Sequence, residues 1–271
     1  MKKPILFNLF FIILILLIVI PMLFPFVWML MSSIKTQVDI ISWPPKLVFS
    51  PTVMNFEKVF GEQNFLLFLQ NSSIVAFTSV FSALLIGLPA AYSIARFGQK
   101  RLLMLILVAR LMPGISFLMP WYIVFSRLRL MDSYTALILS HILITLPVVV
   151  WIMSAYFKTI PIELEACAML DGASRQKAFV SIILPLSMPG VITVGTVAFI
   201  FSWNNFMLAQ VLSTEETRTL PVAVYNFMSS ADFDWGQIMA AALVMVAPAI
   251  LLTLFFQKYV IKVLTVGEVK G

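Results

Sequence analysis

The sequence is poor in the residues that chemistry needs. It has one cysteine, Cys167, and one histidine, His141, in 271 residues. A single thiol closes no internal disulfide. One imidazole, one thiol and no clustered carboxylates build neither a metal site nor a nucleophile with its base. No phosphate-binding loop of the form G-x-x-x-x-G-K-[ST] occurs. Charged residues make up 11% of the chain, against about 25% in an ordinary soluble domain. No internal repeat or low-complexity tract stands out, and the chain reads as one domain, 1–271.

What is abundant is apolar: 61% of the residues. A soluble globule of this size keeps too much surface in water to hide so much. The chain is expected to be an all-α membrane protein. Its net charge of +6 then reflects basic cytoplasmic loops rather than a nucleic-acid partner. A span needs roughly 20 apolar residues, and six stretches qualify: 5–33, 65–95, 102–126, 134–157, 191–211 and 236–259. Lys2 and Lys3 ahead of the first resemble a secretory signal. That run is too long, and Pro21-Met22-Leu23 stand where a cleavage site belongs, so an uncleaved anchor is expected.

With the N-terminus inside, eleven basic residues fall on the cytoplasmic side and six outside, with Arg110 left in a span. Both termini are therefore predicted to be cytoplasmic. The segments outside the bilayer are outer loops over 35–64 and 212–235 and a cytoplasmic loop over 158–190. None of the twelve acids lies well inside a span. Ion-coupled carriers commonly need a carboxylate at that depth, which speaks against a self-sufficient ion-driven carrier, although carbonyls alone can hold Na⁺. A bundle without a fuel site that moves a solute uphill takes its work from a partner, docked on the cytoplasmic loop.

That loop spells a short helix-turn-helix. Pro161 suits a first helical turn. Glu163 and Glu165 lie where the helix dipole favours anions. Gly172 is placed to end the helix in a left-handed conformation. Ser174 can cap a second helix carrying Arg175 and Lys177, and Pro185 and Pro189 then break the chain. Small residues at Ala166, Cys167 and Ala168 let another backbone come close.

Here the sequence resembles the permease subunits of ABC importers. Their coupling motif reads E-A-A, three residues, Gly, nine residues, then I-x-L-P. Asp171-Gly172-Ala173 and Ile182-x-Leu184-Pro185 stand in that register. Ala166 replaces the motif glutamate, and Glu165 or Glu163 is expected to supply the charge. Trp43-Pro44-Pro45-Lys46, Asn55-Phe56, Pro89-Ala90-Ala91-Tyr92-Ser93, Ala95-Arg96-Phe97, Trp203-Asn204-Asn205-Phe206 and the ending Gly267-Glu268-Val269-Lys270-Gly271 resemble the carbohydrate subgroup. The likeness is strongest to the six-span subunit of a maltose-type importer.

The resemblance implies a six-helix type I importer fold in a bacterial or archaeal cell membrane. It implies a second permease, two ATPase subunits and an extracytoplasmic solute-binding protein as partners. The solute is a sugar, oligosaccharide or polyol, with glycerol phosphate or another polar solute as the alternative. No cofactor belongs to this chain: ATP and Mg are the ATPase's. It places Glu163, Glu165, Ala166, Ala168, Asp171 and Gly172 at the ATPase, the loop 212–235 at the binding protein, and Gly267, Lys270 and Gly271 along the ATPase interface. Arg110, Trp203, Asn204 and Asn205 are candidates for the solute pathway. Arg110 has a second reading, as a side chain that snorkels to the surface. His141 reads as a packing residue and Cys167 as a small spacer.

Overall fold

The computed structural model describes residues 5–62, 64–112, 114–229 and 233–266. Among these there are helices and no strand, as lipid demands of a chain that must satisfy its own backbone. The principal helices are α1 (Ile5–Ser33), α2 (Met54–Glu62), α3 (Phe65–Arg96), α4 (Lys100–Leu111), α5 (Leu118–Arg127), α6 (Tyr134–Thr159), α7 (Glu163–Leu170), α8 (Arg175–Ala178), α9 (Met188–Trp203), α10 (Met207–Leu212), α11 (Leu220–Ser229) and α12 (Trp235–Val266). Among the described residues four helices are long and apolar enough to cross a membrane, or up to six spans if each of two bent pairs counts as one.

Two spans differ from the sequence expectation. The stretch expected as one helix over 102–126 is α4, a 3₁₀ turn at Gly114–Phe117, and α5. Pro113 has no N–H for the ladder and Gly114 is a poor helix former. The stretch over 191–211 begins earlier, at Met188, and stops at Trp203. Asn204 Nδ2 donates back to the Ile200 carbonyl at 3.0 Å, and Asn205 Oδ1 accepts the Leu208 N–H at 3.1 Å. Such side chains compete locally with the helix ladder, so α10 starts as a separate piece.

The described residues gather into two compact units. The first gathers residues up to Leu66 with Val224–Ala247. Asn55, buried, donates to the carbonyls of Ser33 and Lys35, both at 2.8 Å, and so closes the end of α1. A β-carbon on Gly236 would come within 2.5 Å of the Asn55 amide oxygen, so the first turn of α12 holds a glycine there. Gln37 accepts the Trp235 N–H at 3.0 Å, and Lys58 pairs with Asp234 at 3.4 Å.

The second unit holds Leu67–Ala223 with residues from Pro248 onward. Helices α3 and α6 meet at Gly87, where a β-carbon would lie 2.7 Å from Val149 Cγ1. Without a hydrophobic driving force in lipid, small residues make such close contacts possible. Val75, Phe125, Leu137, Leu208, Leu212 and Val222 are part of a core that joins α3, α5, α6, α10 and α11.

The segment 213–220 is tied to this core. Asp132 accepts the Thr214 N–H at 2.9 Å, the Thr217 N–H at 3.2 Å and the Thr217 hydroxyl at 2.7 Å, besides the Thr214 hydroxyl. Asn71 donates to the carbonyls of Glu216 and Arg218, at 3.0 and 2.9 Å, and accepts the Tyr134 hydroxyl at 2.6 Å. Ser72 accepts the Leu220 N–H at 2.7 Å. Burial pushes the Asp132 carboxyl up, but the donors from Thr214 and Thr217 outweigh it and hold its pKa well below the ordinary 3.8.

Hydrogen bonds to a charged group contribute roughly 1.5–3 kcal/mol each. Asp132→Asn should therefore lower the unfolding free energy by at least about 1.5 kcal/mol at neutral pH. A carboxyl whose pKa is lowered by folding stabilises fully above its unfolded value and loses that contribution as pH falls through the folded one. The gap between wild type and Asp132→Asn, read by thermal unfolding across pH, should shrink below about pH 4. A gap that widens toward acid would contradict the clamp.

Candidate functional site: the loop between the fourth and fifth spans

The loop begins where α6 ends. Helix α7 carries Glu163 and Glu165 in its first turn, where exposed N–H groups and the dipole favour acids. At its other end Gly172 has φ +86°. The Gly172 N–H bonds the Met169 carbonyl at 3.1 Å, and the Ala173 N–H bonds that of Ala168 at 3.0 Å. This pair of bonds is the Schellman closure, which needs a left-handed residue at that place. Nothing lies within 4 Å of where a β-carbon on Gly172 would sit, so the demand for glycine is conformational and not steric.

Ser174 then accepts the Lys177 N–H at 3.3 Å and caps α8. The helix continues through a π turn at Phe179–Ile183 into Leu184–Leu186. Pro185 cannot donate to the carbonyl four residues back, which accounts for the widened turn before it. At Ser187 the chain bends by 76° into α9. Gly190 lets the Tyr156 ring lie on its backbone, since a β-carbon would meet that ring at 2.9 Å.

Glu165 does not face outward. It is 1% exposed. Its carboxylate accepts the Tyr92 hydroxyl at 2.6 Å and Nε of Arg96. Arg96 spends both terminal nitrogens on the Ile160 carbonyl, at 3.1 Å each. The Tyr92 ring lies 4.6 Å from that of Phe179 and meets Phe157 edge-on at 6.0 Å. The Arg175 guanidinium rests 5.1 Å over the Phe97 ring. The end of α3 thus grips both helices of the loop.

The expectation that Glu165 offers its charge to a partner is therefore corrected: its oxygens are taken up inside the chain. Glu163, Ala166 and Asp171 are exposed, and Ala168 is buried. The outward side of α7 is mostly apolar, with Ile162, Leu164, Cys167 and Met169 exposed and Leu170 at 87%. Tyr92 and Arg96 were not among the site residues named from sequence. Their signal is a pair at i and i+4 on one helix face, inside a segment already marked by resemblance.

The candidates for the pathway are less united. Trp203 is buried and stacks on Phe199 at 5.3 Å. Asn204 and Asn205 form the break after α9. Arg110 is exposed, with its guanidinium 5.3 Å over the Phe201 ring. His141 is buried and shares a hydrogen bond of 2.8 Å between Nδ1 and Ser202, which also bonds Ser79 at 2.9 Å. Its Nε2 meets no partner among the described residues. Gly267, Lys270 and Gly271 lie outside the described residues.

Apolar helices of membrane-crossing length, with the α7–α8 pair locked to the end of α3 by a buried ion pair, mark a polytopic membrane subunit. More particularly, it belongs to the family of binding-protein-dependent transport system inner membrane components, which it matches over residues 83–265. It is 37% identical over 257 residues to the sulfoquinovosyl glycerol transport system permease protein SmoH of Agrobacterium fabrum, covering 92% of this chain and 89% of that one. It is 34% identical over 256 residues to the trehalose/maltose transport system permease protein MalG of Thermococcus litoralis, covering 92% of each. Among solved structures it is similar, with a TM-score of 0.76 at 18% identity, to a chain of a bacterial ABC transporter involved in the import of the acidic polysaccharide alginate. That match covers 94% of this chain and 96% of the other. The chain is thus an ABC importer permease subunit with the fold of that class.

Removing one partner of a buried ion pair costs about 3–5 kcal/mol. Glu165→Ala should lower the unfolding temperature of the purified protein sharply, and Glu163→Ala barely. The exchanged pair Arg96→Glu with Glu165→Arg should recover part of the loss. Equal effects of the two alanine variants would remove the inward role of Glu165. At Gly172 the order of tolerance should be Asn, then Ala, then Val, following ease of entry into the left-handed region. Solute uptake per ATP hydrolysed is the measurement, and wild-type coupling in Gly172→Val would contradict the Schellman requirement.

Proposed function

We propose that this subunit forms half of the translocation pathway of an ATP-driven importer for a sugar, oligosaccharide or polyol. A second permease completes the pathway. Two cytoplasmic ATPase subunits supply the work, and a soluble binding protein delivers the solute at the outer face. Both chain termini lie in the cytoplasm. The saccharide class is supported by the names of the relatives, which handle sulfoquinovosyl glycerol and trehalose or maltose.

The observation that carries the coupling role is the two-sided character of α7. Its polar side is spent inward on Arg96 and Tyr92, and its outward side is an apolar cap ending at Leu170. A large exposed leucine at a rigid helix end suits insertion into an apolar cleft of the ATPase. Gly172 closes the helix tightly behind it. When ATP draws the two ATPase subunits together, the helix pair moves with them, and the end of α3 follows through the buried ion pair. Glu163 and Asp171 remain free to meet basic groups at the rim of the cleft. The tail at Gly267, Lys270 and Gly271 runs along the same interface.

Leu170→Asp tests this, because the residue packs against nothing that folding requires. Co-purification of the ATPase should fall at least about tenfold, as expected when an interface anchor is lost, while the unfolding temperature of the subunit stays within about a degree. Retained ATPase binding would place the docking surface elsewhere. Uptake in proteoliposomes should require ATP and the binding protein together. Uptake by the chain alone on an ion gradient would replace the importer reading with that of a secondary carrier.

A further inference from the structure

We propose that Arg110 recognises an anionic group on the transported solute, so that the natural cargo is an acidic saccharide bearing a carboxylate, sulfonate or phosphate. The inference rests on the saccharide-importer reading above and adds the charge of the solute to it.

Arg110 stands well along an apolar segment expected to cross the membrane. It is nine residues along α4 from Arg101, or about 14 Å of helix rise. Its guanidinium covers the ring of Phe201, which is thirteen residues beyond the start of α9 at Met188, or about 20 Å. Both distances fall inside a hydrocarbon core of about 30 Å. A guanidinium there is costly facing lipid, and residues of this kind mark pathways or pair with an acid.

No acid of this chain is within the described spans. None of the ion pairs among the described residues involves Arg110. Its contact is with the face of a phenyl ring, which orients a guanidinium and leaves its N–H edge free to donate. The planar donor fork of arginine suits carboxylate, sulfonate or phosphate oxygens. Asn204 stands three residues after Phe201, just past the end of α9, and is exposed with its Nδ2 turned to the Ile200 carbonyl. Cation, aromatic ring and amide together match an acidic sugar: the anion on Arg110, ring C–H groups on Phe201, hydroxyls on the amide oxygen of Asn204.

The test uses the complete importer in proteoliposomes with its binding protein and ATP. A panel of neutral malto-oligosaccharides and of oligogalacturonates of the same lengths is offered. Wild type should take up members of the acidic series, and Arg110→Gln should lower that uptake about tenfold or more, the size of a lost charge-assisted hydrogen bond. Arg110→Lys should fall between them. Uptake of the neutral series alone by wild type overturns the proposal while leaving the importer reading in place. So does an equal loss of both series in Arg110→Gln, or loss of the second permease from the purified Arg110→Gln complex, which would make Arg110 an ion-pair partner across subunits. Failure with ATP to take up either series, a sulfonated or phosphorylated sugar, or a polyol removes the saccharide reading itself, and this inference with it.

Discussion

The organisation of this subunit depends on one buried charge. A carboxylate out of water loses several kcal/mol of solvation unless every oxygen finds a donor and a counter-ion. Glu165 finds both in Arg96 and Tyr92 at the end of α3. Arg96 in turn needs acceptors for its remaining nitrogens and takes the Ile160 carbonyl. The set is satisfied when α7, the end of α6 and the end of α3 sit in one arrangement. Its stiffness comes from mutual dependence, since withdrawing any member strands another in a poorly solvated place.

The division of α7 into a fastened side and a bare side follows from that charge. The motif position that carries a glutamate in the resembling family holds Ala166 here, and Ala166 is exposed. The outward surface is then left to Leu170 and its apolar neighbours, with acids at the margins. A partner seated there, as proposed, would meet packing area and shape rather than a central ion pair.

Much of this was legible in the residues themselves. Gly172 and Ser174 announced the end of one helix and the start of the next, because left-handed closure and hydroxyl capping are local chemistry. Apolar runs marked the crossings. The breaks after Leu111 and Trp203 were harder to read, since a proline is tolerated inside many membrane helices, and two asparagines declare a break only through the carbonyl and N–H they bond. The inward turn of Glu165 was hidden for another reason. Its partner lies 69 residues earlier, and one sequence holds no record of which distant arginine a glutamate meets. The clamp at Asp132 is of the same kind, a loop acid that looks solvated until Thr214 and Thr217 are placed around it.

Helices α3 and α6 carry fastenings at both extremities. Asn71 and Tyr134 hold the 213–220 segment near one end, and Tyr92, Arg96 and Phe157 hold the helix pair at the other. From Asn71 to Tyr92 is about 31 Å of helix rise, the thickness of the hydrocarbon layer. Between them Gly87 lets α3 and α6 approach so closely that a β-carbon there would strike Val149 Cγ1. The pair therefore behaves as a strut. In the importer cycle proposed above, a displacement of α7 at one extremity of that strut would carry through to the 213–220 segment at the other.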